Sequence, residues 1–546
     1  MVAGAAALGQ RHSVRAARIA ANLLLAAASG LLLATSYPPS PAGALAWIGL
    51  VPLFFAVSRS RPLGAFLLSV LSGLVFYSMA FQWVAAFHPF ALPFVSLVSA
   101  TLFFGLPVLC IRLFLGRPLL ALAAAPSIFV LFEYAKQNWF LQFPFGVLGY
   151  TQWSWTRLIQ VADLGGVALV SWLIVLVNTA VYLALDRVLP GRTVPDRWRQ
   201  AAAYSGAAAA VLGGCLLYGT LVTPGMTYDP GARLKVGYAQ TFFRPGRTEH
   251  AGQAERLQAI EAFIRDFKGL GVSLVIFPEL TLDRAVTYEI RLSLADNAAT
   301  LNRISALARS SGMNILFGSL ELRQRGGSVK SYNAMQMFTA DGNLSDIYRK
   351  SVLVPFGETN PFEAVFPGLS DYLRRTTESA QLDRGDTTHL FRLPAADGSV
   401  LRFGVLICFE STFGQVARTH ALDGADFLVS ATDDSWARSS VAMYQHAVMS
   451  IFRAVETRRP VLRISNGGLS GYFDELGTWS SSLPLFSSGA MTSRLYLLRE
   501  KPTSLYVRAG DWLVVLSLAL VVSLGFAAVF TSPRPARFRP GSGRIP

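Results

Sequence analysis

The stretch Val405-Leu406-Ile407-Cys408-Phe409-Glu410 decides the fold. An apolar run rich in β-branched residues suits a buried strand, and it stops abruptly in a thiol and a carboxylate. Strand ends are where α/β folds present reactive groups. Upstream, Val275-Ile276-Phe277-Pro278-Glu279 ends in a carboxylate in the same way, and Tyr348-Arg349-Lys350 sets a lysine before Val352-Leu353-Val354-Pro355-Phe356-Gly357-Glu358. A thiol nucleophile needs a group to take its proton and a cation to steady the charge that develops. Glu279, Lys350 and Cys408 are candidates for base, cation and nucleophile.

Outward from these strands, residues 231–506 alternate short apolar runs with amphipathic stretches. Leu234–Gln240, Ser273–Phe277, Asn314–Leu322, Tyr332–Thr339, Ser345–Val354, Leu401–Cys408, Asp426–Ser430 and Pro460–Ile464 read as strands. Leu257, Ile260, Ile264 and Phe267 recur at helical spacing, as do Leu301, Ile304, Leu307 and Ala308, and a further helix is expected from about Val441 to Thr457. The segment is one α/β domain.

The rest of the chain is membrane-like. Of 546 residues 52% are hydrophobic and 15% charged, whereas a soluble protein carries about 25% charged residues. Spans are expected near Ile19–Thr35, Gly43–Val57, Leu63–Val84, Ala91–Leu115, Leu119–Tyr134, Val161–Leu185, Ala201–Val222 and Trp512–Phe530, about the length a bilayer requires. The net charge of +15 does not point to nucleic acid, because arginines gather in alternate loops between these runs. Arg11, Arg15 and Arg18 precede the first span, Arg59 and Arg61 follow the second, and Arg112 and Arg117 follow the fourth. Arg187, Arg192, Arg197 and Arg199 follow the sixth, and Arg534, Arg537, Arg539 and Arg544 the last. Loops 36–42 and 85–90 carry no Lys or Arg. By the positive-inside rule both termini are cytoplasmic and 223–511 lies outside. The expected organisation is a seven-helix membrane domain over 1–222, an extracytoplasmic catalytic domain over 223–511, and a last helix with a cytoplasmic tail over 512–546.

Three cysteines occur, and Cys110 and Cys215 fall in expected spans. Cys408 is then an unpaired thiol in an oxidising compartment, where most cysteines are paired. A buried cysteine acting as a small hydrophobe is the plain alternative, but the strand-end position with Glu410 beside it favours chemistry.

In these motifs the chain resembles the nitrilase (carbon–nitrogen hydrolase) superfamily, and with spans on both sides of the domain it is similar to the apolipoprotein N-acyltransferase family. The resemblance rests on Lys350 with Val354-Pro355-Phe356-Gly357-Glu358 and on Cys408-Phe409-Glu410. Arg453-Ala454, Glu456, Arg459-Pro460, Arg463 and Asn466-Gly467 extend it, with Glu133, Phe143-Pro144 and Leu148-Gly149-Tyr150 in the membrane part. It implies an αββα sandwich on a polytopic helical domain of about eight spans. It also implies a catalytic triad of Glu279, Lys350 and Cys408 supported by Glu358 and Glu410. The implied reaction moves an acyl chain from a phospholipid, through a Cys408 thioester, to the N-terminal amine of diacylglyceryl-modified apolipoproteins. The implied setting is the bacterial inner membrane, with the catalytic domain facing the periplasm, no cofactor, and the protein acting as a monomer. Trp436, Phe242 and Phe356 are candidates for acyl or headgroup contact. Where the family commonly reads Asn-Asp-x-Trp-Phe-Gly this chain has Asp433-Asp434-Ser435-Trp436-Ala437-Arg438, which bears on substrate contacts more than on the triad.

Two other readings remain open at this stage. A membrane-tethered amidase would use the same triad with water as acceptor, and a scaffold would keep the shell without turnover. His389, His420 and His446 show neither metal-ligand spacing nor a papain-like motif.

Overall fold

The computed structural model describes residues 2–530 apart from 190–195, 224, 225, 227, 244–251, 283, 284, 289–294, 326, 362–367, 369–380, 386–388, 396, 397 and 499. Arg192 and the arginines of the expected C-terminal tail lie outside the described residues.

Six helices are long and apolar enough to cross a bilayer: His12–Ser36, Pro62–Ala80, Ala91–Arg112, Pro118–Asn138, Ala162–Val188 and Arg197–Val222. Two shorter apolar helices, Gly43–Ser58 and Trp512–Phe526, bring the apolar segments to the places expected without making eight full-length spans. The protein is an integral membrane protein. The second expected span is broken into a 3₁₀ turn, Gly43–Trp47, and an eight-residue helix, Val51–Ser58. The break survives burial because one amide serves both ends. Asn178 Oδ1 accepts the Leu50 N–H at 2.8 Å and its Nδ2 donates to the Ala46 carbonyl at 2.8 Å. The third helix stops at Ala80, short of the expected Val84, and gives way to a 3₁₀ turn over Gln82–Ala86.

The remaining chain forms two sheets packed face to face. The first runs in the order Gly489–Leu498, Tyr228–Gln240, Leu274–Ile276, Asn314–Arg325, Ser328–Phe338, Leu344–Arg349, with Ala285–Tyr288 also paired to Asn314–Arg325. The second runs Trp479–Ser482, Gly471–Phe473, Val461–Asn466, Phe427–Asp433, Val400–Ile407, Leu390–Pro394. Alternation along Val400–Ile407 explains the layering. Leu401, Phe403, Val405 and Ile407 pack between the sheets with Val236, Ile276 and Met335, while Leu406 faces the opposite side. Helices Gln253–Phe267 and Ala295–Ser311 cover the first sheet through Leu257, Ile260, Ile264, Ile304 and Ala308. The result is an αββα sandwich.

On the second sheet the covering helix is Ser440–Thr457, and its apolar face continues into the membrane bundle. Val448, Ile451, Phe452 and Val455 belong to one core with Tyr150, Ile159 and Val170. Phe452 meets the Tyr150 ring edge-on at 5.0 Å. Polar contacts seal the seam. Gln445 Nε2 donates to the carbonyls of Pro38 and Ala80, both at 2.9 Å, and Trp83 Nε1 donates to Gln445 Oε1 at 2.8 Å. Arg458 Nη2 reaches Asp163 Oδ2 at 2.6 Å, and Glu456 Oε1 accepts the Val167 N–H at 2.9 Å.

One expected strand is too long. Ser345–Val354 is strand only as far as Arg349: the Lys350 N–H still donates to the Asn333 carbonyl of the neighbouring strand, but those of Ser351 and Val352 turn to the Glu410 carboxylate. Five strands were not anticipated: Ala285–Tyr288, Leu390–Pro394, Gly471–Phe473, Trp479–Ser482 and Gly489–Leu498.

Candidate active site

Three strand ends converge. Glu279 follows Leu274–Ile276, Lys350 follows Leu344–Arg349, and Cys408 follows Val400–Ile407. All three residues are buried, with exposures of 4%, 1% and 7%. Lys350 Nζ lies 3.0 Å from Glu279 Oε1 and 2.8 Å from Glu358 Oε1, so one ammonium bridges two carboxylates. Asn333 Nδ2 donates to the same two oxygens, at 2.7 and 3.1 Å. Glu279 Oε2 accepts the Asp433 N–H at 2.8 Å, and Glu358 Oε2 accepts the Val354 N–H at 2.9 Å.

Burial works against the Lys350 ammonium, but Glu279 and Glu358 outweigh it and hold its pKa well above the ordinary lysine value. Burial pushes the Cys408 thiol well above its usual range, and the charge of Glu279 adds to this against the pull of Lys350. Cys408 therefore rests as a thiol, hydrogen-bonded to the Thr432 side chain. It becomes a thiolate only as a base removes its proton.

Cys408 occupies the left-handed region at φ +49°, a conformation that costs a non-glycine residue about 1–3 kcal/mol. It opens the 3₁₀ turn Cys408–Thr412. Its carbonyl is held by Ser411 Oγ at 2.8 Å and by His446 Nε2 at 3.1 Å. His446 Nδ1 lies 2.8 Å from Asp434 Oδ1, and Asp434 Oδ2 accepts from Arg463 and Ser465, both at 2.8 Å. Although Asp434 is buried, Arg463 and His446 hold its carboxyl below the usual range. His446 thus reaches the carbonyl of Cys408, not its sulfur, which distinguishes the site from a Cys–His pair.

Glu410 ties the elbow to the lysine loop. Its Oε1 accepts from Tyr348 Oη at 2.9 Å, from Ser351 N at 2.6 Å and Oγ at 2.7 Å, and from Val352 N at 3.2 Å. Its Oε2 accepts the Ile407 N–H at 2.7 Å. These bonds end the strand at Arg349. Burial raises the carboxyl of Glu410, and the Ser351 and Ile407 donors oppose the rise.

The aromatic candidates divide. Trp436 stacks on Phe87 at 4.7 Å and lies 5.8 Å from Trp83, joining a cluster that runs through Phe145 and Phe81 in the membrane half. Phe242 lies against the Phe486 ring at 6.2 Å, and Phe356 takes φ +64° at a tight turn, its N–H donating to Thr359 at 2.7 Å. In the membrane part, Glu133 Oε1 accepts the Leu148 N–H at 2.8 Å, joining two of the sequence signals noted there. Sequence reasoning missed Asn333, which holds both carboxylates, and His446, which was weighed only as a metal ligand or partner of the thiol. No sequence signal marks either residue; the strand register, Ala334 opposite Arg349, brings Asn333 alongside Lys350 only in the fold.

Two buried sheets whose strand ends gather a glutamate, a lysine and a cysteine define a carbon–nitrogen hydrolase fold, and that family matches residues 245–493. The apolipoprotein N-acyltransferase N-terminal domain matches residues 29–180. Over nearly its whole length the chain is similar to curated relatives. It is 30% identical to apolipoprotein N-acyltransferase of Geobacter metallireducens, covering 92% of this chain and 95% of the relative. It is 26% identical to apolipoprotein N-acyltransferase 1 of Treponema denticola, covering 93% and 96%. The chain belongs to the apolipoprotein N-acyltransferase family. Among solved structures, an amidase from a Nesterenkonia species is 14% identical, covering 53% of this chain and 98% of that one at a TM-score of 0.38.

Proposed function

We propose that the protein transfers an acyl chain from a membrane phospholipid to the N-terminal amine of diacylglyceryl-cysteine lipoproteins, through a thioester on Cys408. The observation that carries this reading is the Lys350 ammonium shared between Glu279 and Glu358 beside a buried, strained cysteine, in a chain of this family.

Glu279 takes the thiol proton as sulfur attacks the ester carbonyl, which avoids a free thiolate that the buried site disfavours. Negative charge moves to the carbonyl oxygen, where Lys350 and a backbone N–H beside Cys408 stabilise it. Glu279 then returns its proton to the departing lysophospholipid oxygen, leaving the thioester. Glu358 keeps Lys350 in place, and Glu410 fixes the elbow against the lysine loop. An amine then attacks the thioester, and the cycle closes with the thiol restored.

The alternating arginines favour a catalytic half on the periplasmic side of the bacterial inner membrane. Both substrates carry lipid, so a bundle that holds the site at the membrane surface raises their effective concentration. The Trp436–Phe87–Trp83 cluster, which joins the catalytic domain to the membrane half, would suit contact with acyl chains. An amidase would need no such anchor.

Intact-mass measurement tests the reading. Defined phospholipid alone should add one acyl mass to Cys408, removable by hydroxylamine. A diacylglyceryl-cysteinyl peptide should then discharge the adduct as N-acylated peptide, with ping-pong kinetics. Free fatty acid as sole product, at a rate the peptide leaves unchanged, would favour the membrane-tethered amidase.

A further inference from the structure

The second half of this reaction, taken on the reading above, has one proton more than Glu279 can manage. An N-terminal amine has a pKa of about 7.7–8.0 and so arrives mainly as an ammonium at neutral pH. It must lose one proton before nitrogen can attack and another after the N–C bond forms. Only one of these is needed by the leaving sulfur. Glu279 holds one proton at a time, and its two oxygens are already engaged by Lys350, Asn333 and the Asp433 N–H.

A second carboxylate stands beside it. Register pairs Ile407 with Ala431 and Asn466 with Asp433, so the strand end carrying Cys408 adjoins Thr432 and Asp433. Asp433 Oδ1 accepts from Ser435 N at 3.0 Å, Ser435 Oγ at 2.6 Å and Asn466 Nδ2 at 3.0 Å. Among the described residues none donates to Oδ2, and no Lys or Arg pairs with the group. Its charged neighbours are Glu279, with Lys350 on that residue's far side, and Asp434, which is turned to His446 and Arg463. Its hydrogen-bond partners on the strand carrying Asn466 and the turn carrying Ser435 are neutral. Asp433 is also partly exposed, whereas Glu279, Lys350, Cys408 and Asp434 are buried. It is a partly exposed carboxylate, without a cation partner among the described residues, beside a buried site.

We propose that Asp433 is the acceptor-side base, binding the α-ammonium of the incoming lipoprotein and taking its first proton. The neutral amine then attacks the thioester carbon, forming the N–C bond as the carbonyl electron pair moves to oxygen. Collapse breaks the C–S bond, Glu279 carries the second proton from nitrogen to sulfur, and Asp433 gives the first to water. Burial raises the Asp433 carboxyl to about 6, with Glu279 adding to the rise against the Ser435 and Asn466 hydrogen bonds. At pH 7 it is thus ionised, yet more basic than an ordinary aspartate.

The test uses Asp433→Asn in the full-length enzyme, because an amide keeps an oxygen for Ser435 and Asn466. Thioester formation from phospholipid should stay within about twofold of wild type, while discharge by diacylglyceryl-cysteinyl peptide at pH 6.5–7 should slow about 10²-fold. The deficit should close as pH rises past the amine's own pKa. Hydroxylamine, uncharged at neutral pH, should discharge both acyl-enzymes equally. Asp433→Ala supplies a second variant, whose peptide discharge added formate should restore. Equal loss in both half-reactions, a deficit independent of pH, or no deficit would overturn the assignment while leaving the acyltransferase reading intact. A wild-type acyl-enzyme that yields no N-acylated peptide would remove that reading and this inference together.

Discussion

Two clusters of buried charge lie within the same domain and are built on opposite rules. Along the seam with the membrane bundle, each cation has its own anion: Arg453 with Glu456, and Arg458 with Asp163. At the strand ends, Lys350 is shared by two carboxylates, a third carboxylate stands nearby, and the backbone is strained at Cys408. The seam pairs these charges one to one. The site keeps an excess of negative charge and an uncharged thiol. That imbalance is costly to bury and is therefore informative.

Substitutions should separate the two clusters. Cys408→Ser should show the largest effect, with no detectable acyl adduct and activity lowered by at least about 10⁴-fold. Its thermal midpoint should match wild type, since only a sulfur atom has been exchanged. Glu279→Gln and Lys350→Ala should each lower acyl transfer by about 10²–10³-fold. Lys350→Ala should also lose stability, because Glu279 and Glu358 are left facing each other. A Lys350→Ala enzyme with near-normal turnover would break the contrast.

Arg458→Ala should behave in the opposite way. Removing one partner of a buried pair costs about 3–5 kcal/mol, so the thermal midpoint should fall by many degrees. The fraction that remains folded should still form the thioester at close to the wild-type rate. Equal damage to thioester formation by the folded fraction would mean that seam and site act as one.

The smallest effect concerns pH. Burial raises the Glu475 carboxyl to about 7, with Asp474 adding to the rise. A group whose pKa is higher folded than unfolded contributes stability below its unfolded value and loses it as pH rises through the folded one. Wild type should therefore lose stability between about pH 4.5 and 7.5 relative to Glu475→Gln. A thermal midpoint difference of a few degrees, growing over that window, is expected. A constant difference would show that Glu475 does not titrate there.

Much of this was legible in the chain. Cys408 and Glu279 each end an apolar run and Lys350 precedes one, and strand ends point to a common edge whatever the details of pairing. The membrane helices were legible from length and apolarity alone. What was hidden depended on partners distant in sequence. The break at Gly43–Ser58 is tolerated only because Asn178 satisfies it from another helix. The strand was drawn too far past Arg349 because nothing local announces that Glu410 will claim the N–H groups of Ser351 and Val352. Gly471–Phe473 and Trp479–Ser482 are too short for alternation to register. Gly489–Leu498 buries little beyond Leu495 and Leu497. His446 carries its meaning through Asp434 and the Cys408 carbonyl, which no spacing rule encodes.

The helix Ser440–Thr457 is wrapped on nearly every side, by the second sheet beneath and the membrane bundle above. Cutting the chain between those halves would strip one flank of that helix and lay Ile451, Phe452 and Val455 bare to water. The catalytic half is in this sense not a passenger tethered to lipid. It was shaped with the bundle as one of its walls, so a liberated fragment of residues 223–511 would clump before it could act.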